Sequence, residues 1–260
     1  MKKIAVLWFP GNNCEHETAR AVELAGMKAE IVRWNEPKKL PNFDGYVIGG
    51  GFAYEDRIRA GVISAKDPVM DVLRAGANDG KPVLGICNGA QILIESGMVP
   101  GLGNNIEMAL APNRNPFVSG YYCTWAYIKK TEGTKSIFAS LFREDNVIPM
   151  PIAHGEGRFA TQEENLAKRL EKNKQIVFKY CDAKGNVLDK FPVNPNGAML
   201  NAAAISNPEG NVMAIMPHPE RASWHRQIPN HKGTFEELEK PAIANKVFQA
   251  MRKYIDGRKY

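Results

Sequence analysis

Apolar positions come in short unbroken runs near the start of the chain. Ile4 to Phe9 is continuous, as expected of a strand buried on both faces of a sheet. Pro10-Gly11-Asn12-Asn13 ends it, and the spacing of Thr18, Ala21, Val22 and Ala25 predicts a helix stopped by Gly26. Ala29 to Trp34 and Phe43 to Ile48 read as two further strands, so the chain opens β-α-β with another strand close behind. That alternation implies a parallel sheet with right-handed crossovers. Asp67 to Ala77 is a predicted helix with Val69, Val72 and Leu73 inward, followed by the short run Val83 to Ile86, the length of a central strand.

Beyond residue 110 the pattern changes. Tyr121 to Ile128 has the aromatic and β-branched content of a strand, and Asn146 to Ala153 is another. Thr161 to Lys172 reads as an exposed helix, with Thr161 and Glu164 spaced as a capping box. Two hairpins are predicted: Gln175 to Tyr180 with Val187 to Phe191, and Ala202 to Ser206 with Asn211 to Met216. A closing helix is expected over Phe235 to Tyr254, with Ile243, Val247, Ala250, Met251 and Tyr254 on one face. No repeat, low-complexity tract or linker interrupts 1–260, so one α/β domain is expected.

Composition narrows the classes. The chain has 260 residues, 44% hydrophobic and 24% charged, ordinary for a globular protein. No apolar run approaches the ~20 residues of a membrane helix. Met1-Lys2-Lys3 and the following apolar run resemble a signal peptide only briefly, because Pro10-Gly11 cuts the run short; a cytoplasmic protein without membrane contact is expected. The four cysteines, Cys14, Cys87, Cys123 and Cys181, are widely spaced without zinc spacing, so reduced thiols are expected. The net charge of +6 is dispersed among acids without a basic, aromatic-interleaved stripe, which argues against nucleic acid as a partner.

The candidate chemistry centres on Gly85-Ile86-Cys87-Asn88-Gly89-Ala90-Gln91, where a strand runs directly into a helix with a cysteine at the junction. That is the geometry of a nucleophile elbow: flanking glycines remove side chains that would clash, and the helix N-terminus favours negative charge on the sulfur. The backbone N–H of Asn88 is offered to a developing oxyanion. Gly49-Gly50-Gly51-Phe52 at the end of an earlier strand suits close backbone approach to a ligand, and its N–H groups are candidates for the rest of the oxyanion hole.

A thiolate nucleophile needs a base, and the base an orienter. Of five histidines only His154 and His218 stand at predicted strand ends, and His218 has Glu220 two residues on in a Pro-rich turn. Cys87, His218 and Glu220 therefore form the expected triad. His154 and Glu156, bracketed by glycines, mark a second suggestive loop, with a structural pair as the alternative.

These stretches carry a resemblance. Gly-Ile-Cys-Asn-Gly-Ala-Gln, Gly-Gly-Gly-Phe and Pro217-His218-Pro219-Glu220-Arg221 resemble the triad-type (class I) glutamine amidotransferases. Phe9-Pro10-Gly11-Asn12-Asn13-Cys14, Ala153 to Phe159 and Asn194-Pro195-Asn196-Gly197-Ala198 narrow it to the PurQ-type glutaminase subunits of phosphoribosylformylglycinamidine synthase. The resemblance implies a flavodoxin-like open, mostly parallel sheet with helices on both faces and added β-hairpins. It implies that Cys87 attacks glutamine, that His218 moves the proton and Glu220 orients it, and that Gly51, Phe52 and Asn88 hold the oxyanion. Gln91 would help bind glutamine, and the His154 loop would lie near the glutamine pocket or the face toward the synthetase. Ammonia would pass to a PurL-type synthetase subunit that uses ATP and Mg, with a small PurS-type subunit in the complex; no cofactor is implied in this chain. Ala53-Tyr54-Glu55-Asp56 departs from the family's usual Ser-Tyr-Gly-Asp, and Asn12 from the usual Ser or Thr. A glutaminase serving another synthase, or a non-catalytic partner-binding protein on the same fold, are the alternatives.

Overall fold

The computed structural model describes residues 1–103, 105–117 and 120–258. In its first half β1 (Lys3–Trp8), α1 (Glu15–Leu24), β2 (Lys28–Arg33), β3 (Gly45–Ile48), α2 (Val69–Asn78), β4 (Val83–Ile86) and α3 (Asn88–Glu95) follow one another. Then come β5 (Ala109–Ala111), β6 (Tyr122–Lys130), β7 (Val147–His154), β8 (Arg158–Ala160), α4 (Leu166–Lys172) and β9 (Ile176–Cys181). The chain closes with β10 (Ala202–Ser206), β11 (Val212–Ile215), α5 (Phe235–Leu238) and α6 (Lys246–Gly257).

Nine strands form one sheet in the order β2-β1-β3-β4-β11-β10-β9-β6-β7. Pairing is parallel from β2 to β11 and antiparallel from β11 to β7. The fold is thus the expected α/β, mostly parallel at its centre, with a larger antiparallel extension than two added hairpins would give. Strands β1, β3, β4 and β11 are buried almost throughout, which is why they read as unbroken apolar runs. Helices cover both faces. A Cβ at Gly45 would strike Met251 of α6, whereas one at Gly76 of α2 would strike the ring of Tyr46, and successive strand residues point to opposite faces. One buried cluster runs from Ile4 of β1 to Ile255 of α6.

Three sequence expectations are corrected. Val187 to Phe191 forms no strand: the edges of β9 are taken by β10 and β6, Val187 is exposed, and Phe191 meets the sheet only through its ring, 6.0 Å from that of Tyr122. The turn before it does form, with Asp182 Oδ1 accepting from the N–H groups of Lys184 and Asn186, both at 2.8 Å. The closing helix is broken into α5 and α6, because Pro241 has no N–H to continue it and Ala242 N–H donates instead to Ser223 O at 2.7 Å. The helix expected from Thr161 begins only at Leu166; Thr161 Oγ1 accepts from Glu163 N–H at 3.0 Å, and Leu166 and Leu170 are buried.

The consequence for function lies at one edge. β1, β3, β4 and β11 are mutually parallel, so their carboxyl ends open on one side, where open α/β sheets bind ligands.

Candidate active site

Cys87 stands between β4 and α3 with φ 51° and ψ −105°, a left-handed conformation that L-residues adopt only where the surroundings enforce it. Its N–H is tied to Ile215 O of β11 at 2.8 Å, and its carbonyl accepts from Gln91 N–H at 3.1 Å. The glycines two residues either side have a steric reason: a Cβ at Gly85 would lie 2.4 Å from Gly89 O, and one at Gly89 would lie 2.1 Å from Ile48 O. The thiol points toward β7, with Sγ 3.6 Å from Ala153 O.

His218 follows β11 and is 2% exposed. Its Nδ1 is 2.6 Å from Glu220 Oε1, and Glu220 is fully buried. Its other nitrogen, Nε2, is left to the thiols of Cys14 and Cys87. Burial opposes charging of this imidazole, yet the Glu220 carboxylate, followed by the sulfurs of Cys87 and Cys14, holds its pKa well above the usual histidine range. Gly50 makes this meeting possible: a Cβ there would sit 2.9 Å from His218 Cε1, 3.1 Å from Cys14 Sγ and 3.5 Å from Cys87 Cβ. The middle glycine of the triple run is thus required by the packing of His218, Cys14 and Cys87.

Cys14 is the residue the sequence reading did not place. It lies at the head of α1, buried, with Sγ 3.0 Å from Arg221 Nη2 and 3.3 Å from Asn13 Oδ1. Cys14, His218 and Glu220 offer ligand atoms within 4.8 Å of one another. With Glu220 held by His218 and a guanidinium against the sulfur, the cluster suits proton handling better than a cation. Its only sequence signal was membership of two separate motifs, Phe9 to Cys14 and Pro217 to Arg221.

The loop after β3 is fastened by Asn88. Its Oδ1 accepts from Ala53 N–H at 3.0 Å and from Asn12 Nδ2 at 3.2 Å; its Nδ2 donates to Asp56 Oδ1 at 3.1 Å and to Gln91 Oε1 at 2.9 Å. Tyr54, Glu55, Asp56 and Ile58 all have positive φ, and Glu55, at φ 60°, occupies a position that a glycine would adopt without strain. Phe52 N–H donates to Gly11 O at 2.9 Å, so that amide is engaged within the protein in this arrangement. Asn88 N–H belongs to the first turn of α3, where no intrahelical acceptor exists.

A cavity of about 330 Å³ opens at this edge. It is lined by Gly51, Phe52, Cys87, Gln91, His154 and His218 among others, so these expected site residues come together in space. Glu220 lies behind His218, and Asn88 beneath the loop. His154, at the end of β7, is 3% exposed, with Nδ1 3.0 Å from Asn113 Oδ1 and, among the described residues, no partner at Nε2. Burial, reinforced by the charge of His218, lowers its pKa to about 3, so it is neutral at physiological pH. Gln91 is less free than expected: its Nε2 donates to Glu156 O at 2.7 Å, tying the helix after Cys87 to the loop after β7.

Comparison with known proteins accords with this geometry. Residues 1–255 match the family model described as the CobB/CobQ-like glutamine amidotransferase domain. The chain is 46% identical to phosphoribosylformylglycinamidine synthase subunit PurQ of Methanothrix thermoacetophila, covering 99% of each chain. It is 43% identical to the protein of the same name from Pyrococcus furiosus, covering 86% of this chain and 91% of that one. Among solved structures, a chain of PurLQS from Thermotoga maritima superposes with a TM-score of 0.74 at 28% identity, covering 98% of this chain and 99% of that one. The chain belongs to the CobB/CobQ-like glutamine amidotransferase family and, within it, to the PurQ-type class I glutamine amidotransferases.

Proposed function

We propose that this chain is the glutaminase subunit of phosphoribosylformylglycinamidine synthase, hydrolysing glutamine and passing the ammonia to a PurL-type synthetase. The observation that carries the chemistry is the buried His218, held at Nδ1 by Glu220 and packed with Cys87 around Gly50. Cys87 Sγ attacks the side-chain carboxamide carbon of glutamine, and its proton passes to His218 Nε2. His218 protonates the departing ammonia, leaving a glutamyl thioester, and then takes a proton from the water that hydrolyses it. Glu220 fixes the tautomer and stabilises the imidazolium. Cys87 rather than Cys14 is the nucleophile in this reading, because it stands at the N-cap of α3, next to the Asn88 N–H, while Cys14 is engaged by Arg221.

Asn88 and Gly51 supply oxyanion donors, and Phe52 joins them once its N–H leaves Gly11 O. Docking of the synthetase would set that loop, so turnover by the isolated subunit is weak and the partner stimulates it. His154 and Gln91 shape the glutamine end of the cavity. The chain itself needs no cofactor in this scheme; ATP and Mg act at the synthetase, with a small PurS-type subunit in the complex. Among the described residues no helix is long and apolar enough to cross a membrane, and the cytoplasm is the compartment this role requires. The test is glutamine-dependent amidation of formylglycinamide ribonucleotide with ATP, with the synthetase added or omitted. Product only with both chains supports the proposal; equal glutamine turnover with and without the synthetase contradicts the docking step.

A further inference from the structure

The cavity beside Cys87 holds two carboxylates that the triad does not use. Asp56 reaches it from the loop after β3 and Glu156 from the loop between β7 and β8. Asp56 Oδ1 accepts from Asn88 Nδ2 at 3.1 Å, and among the described residues neither acid forms an ion pair with a cation. Burial, followed by the negative charge of Glu156, pushes Asp56 up to about 6, so the two acids act on each other across the site. Arg59, on the same wall, is engaged by the buried Glu95 through Nε to Oε1 at 2.8 Å.

A buried nitrogen on the same wall is left without a hydrogen bond. His154, 3% exposed, lines the same cavity, and among the described residues its Nε2 has no hydrogen-bond partner. Buried polar atoms are nearly always satisfied, so a wall with such a nitrogen is built to be completed by a polar ligand. Arg59 also feels the charge of Glu156, yet the repulsion on Asp56 remains, so the two like charges favour a ligand that carries a cation. Glutamine carries one, about 5 Å from its carboxamide carbon when extended. Cys87, Asp56 and Glu156 line one cavity, so a glutamine with that carbon at Cys87 carries its ammonium into the space the acids border.

We propose that Asp56 and Glu156 form the subsite for the α-ammonium group, so that the site accepts an α-amino acid and rejects amides of the same length without the amine. This rests on the glutaminase reading and adds which end of the substrate the acids hold. The structure supplies the support for the subsite as well: Asn88 Nδ2 holds Asp56, and Gln91 Nε2 holds the backbone of Glu156 at 2.7 Å. Both props stand on α3, directly after the nucleophile, which fixes the spacing between thiol and acids.

The test compares L-glutamine with 4-carbamoylbutanoate, which lacks only the amine, as substrates of the subunit in complex with its synthetase. In Asp56→Asn the wild-type preference in kcat/KM for L-glutamine falls about 30-fold, through KM rather than kcat. Glu156→Gln, on a different loop, moves the preference the same way. A variant that slows both amides equally, leaving their ratio at the wild-type value in both substitutions, overturns the subsite. Wild-type complex that hydrolyses neither amide overturns the glutaminase reading itself, and the subsite with it, an outcome distinct from an unmoved ratio.

Discussion

His218 at the end of β11 and His154 at the end of β7 share one cavity and almost equal burial, yet their protonation is driven in opposite directions. The first belongs to the parallel half of the sheet, whose strand ends also deliver Cys87, Gly51 and Cys14. The second belongs to the antiparallel extension, which brings Tyr121, Gly155 and Glu156 to the same cavity. Burial alone pushes a histidine toward neutrality, as it does for His154. Glu220 at 2.6 Å reverses that at His218. The partner each strand end supplies, not depth, decides whether the ring manages protons or serves as a neutral hydrogen-bonding wall.

The largest expected effect comes from removing the proposed nucleophile at the parallel end. Cys87→Ala should lower glutamine hydrolysis in the complex by about 10⁴-fold or more, measured as ammonia release, with binding of L-glutamine retained. Next, Glu220→Gln should erase the difference between the two histidines. Activity should drop about 10³-fold, and ring resonances followed by NMR should show His218 losing its proton at lower pH than in the wild type, since the main charge that raises it is gone.

On the antiparallel side, His154→Gln should raise KM for glutamine about 10-fold while kcat falls less. The same substitution has a stability signature. His154 takes up no proton in the folded state until about pH 3, whereas the unfolded chain does so near 6.5, so acidification between those values favours unfolding. Wild type should lose melting temperature as pH falls through that window, and the variant should lose less. The smallest expected effect is Glu55→Gly, at the left-handed position outside the catalytic groups: a gain of up to about 1 kcal/mol in urea unfolding, with little change in turnover.

Legibility followed sequence distance. The strand, elbow and helix around Cys87 are contiguous, and His218 with Glu220 is a pair two residues apart, so local rules reach both. The contact of Cys14 with Arg221 joins residues 207 apart and leaves no periodicity to read. Asp56 and Glu156 likewise come from separate loops, and only the folded sheet makes them neighbours. In the fold, buried runs such as Ile4 to Leu7 and Val83 to Ile86 were legible because two covered faces demand apolar residues throughout. The composition of Val187 to Phe191 permits a strand, but pairing is decided by which edges remain open.

Two thiols face one histidine, and which of them reacts is the sharpest question the account raises. Intact mass and peptide mapping after treatment with 6-diazo-5-oxonorleucine, a glutamine-like electrophile, answer it directly. A single adduct on Cys87, lost in Cys87→Ser and slowed in Glu220→Gln, is the predicted result. An adduct on Cys14, or labelling of Cys87→Ser at the wild-type rate, would contradict the account.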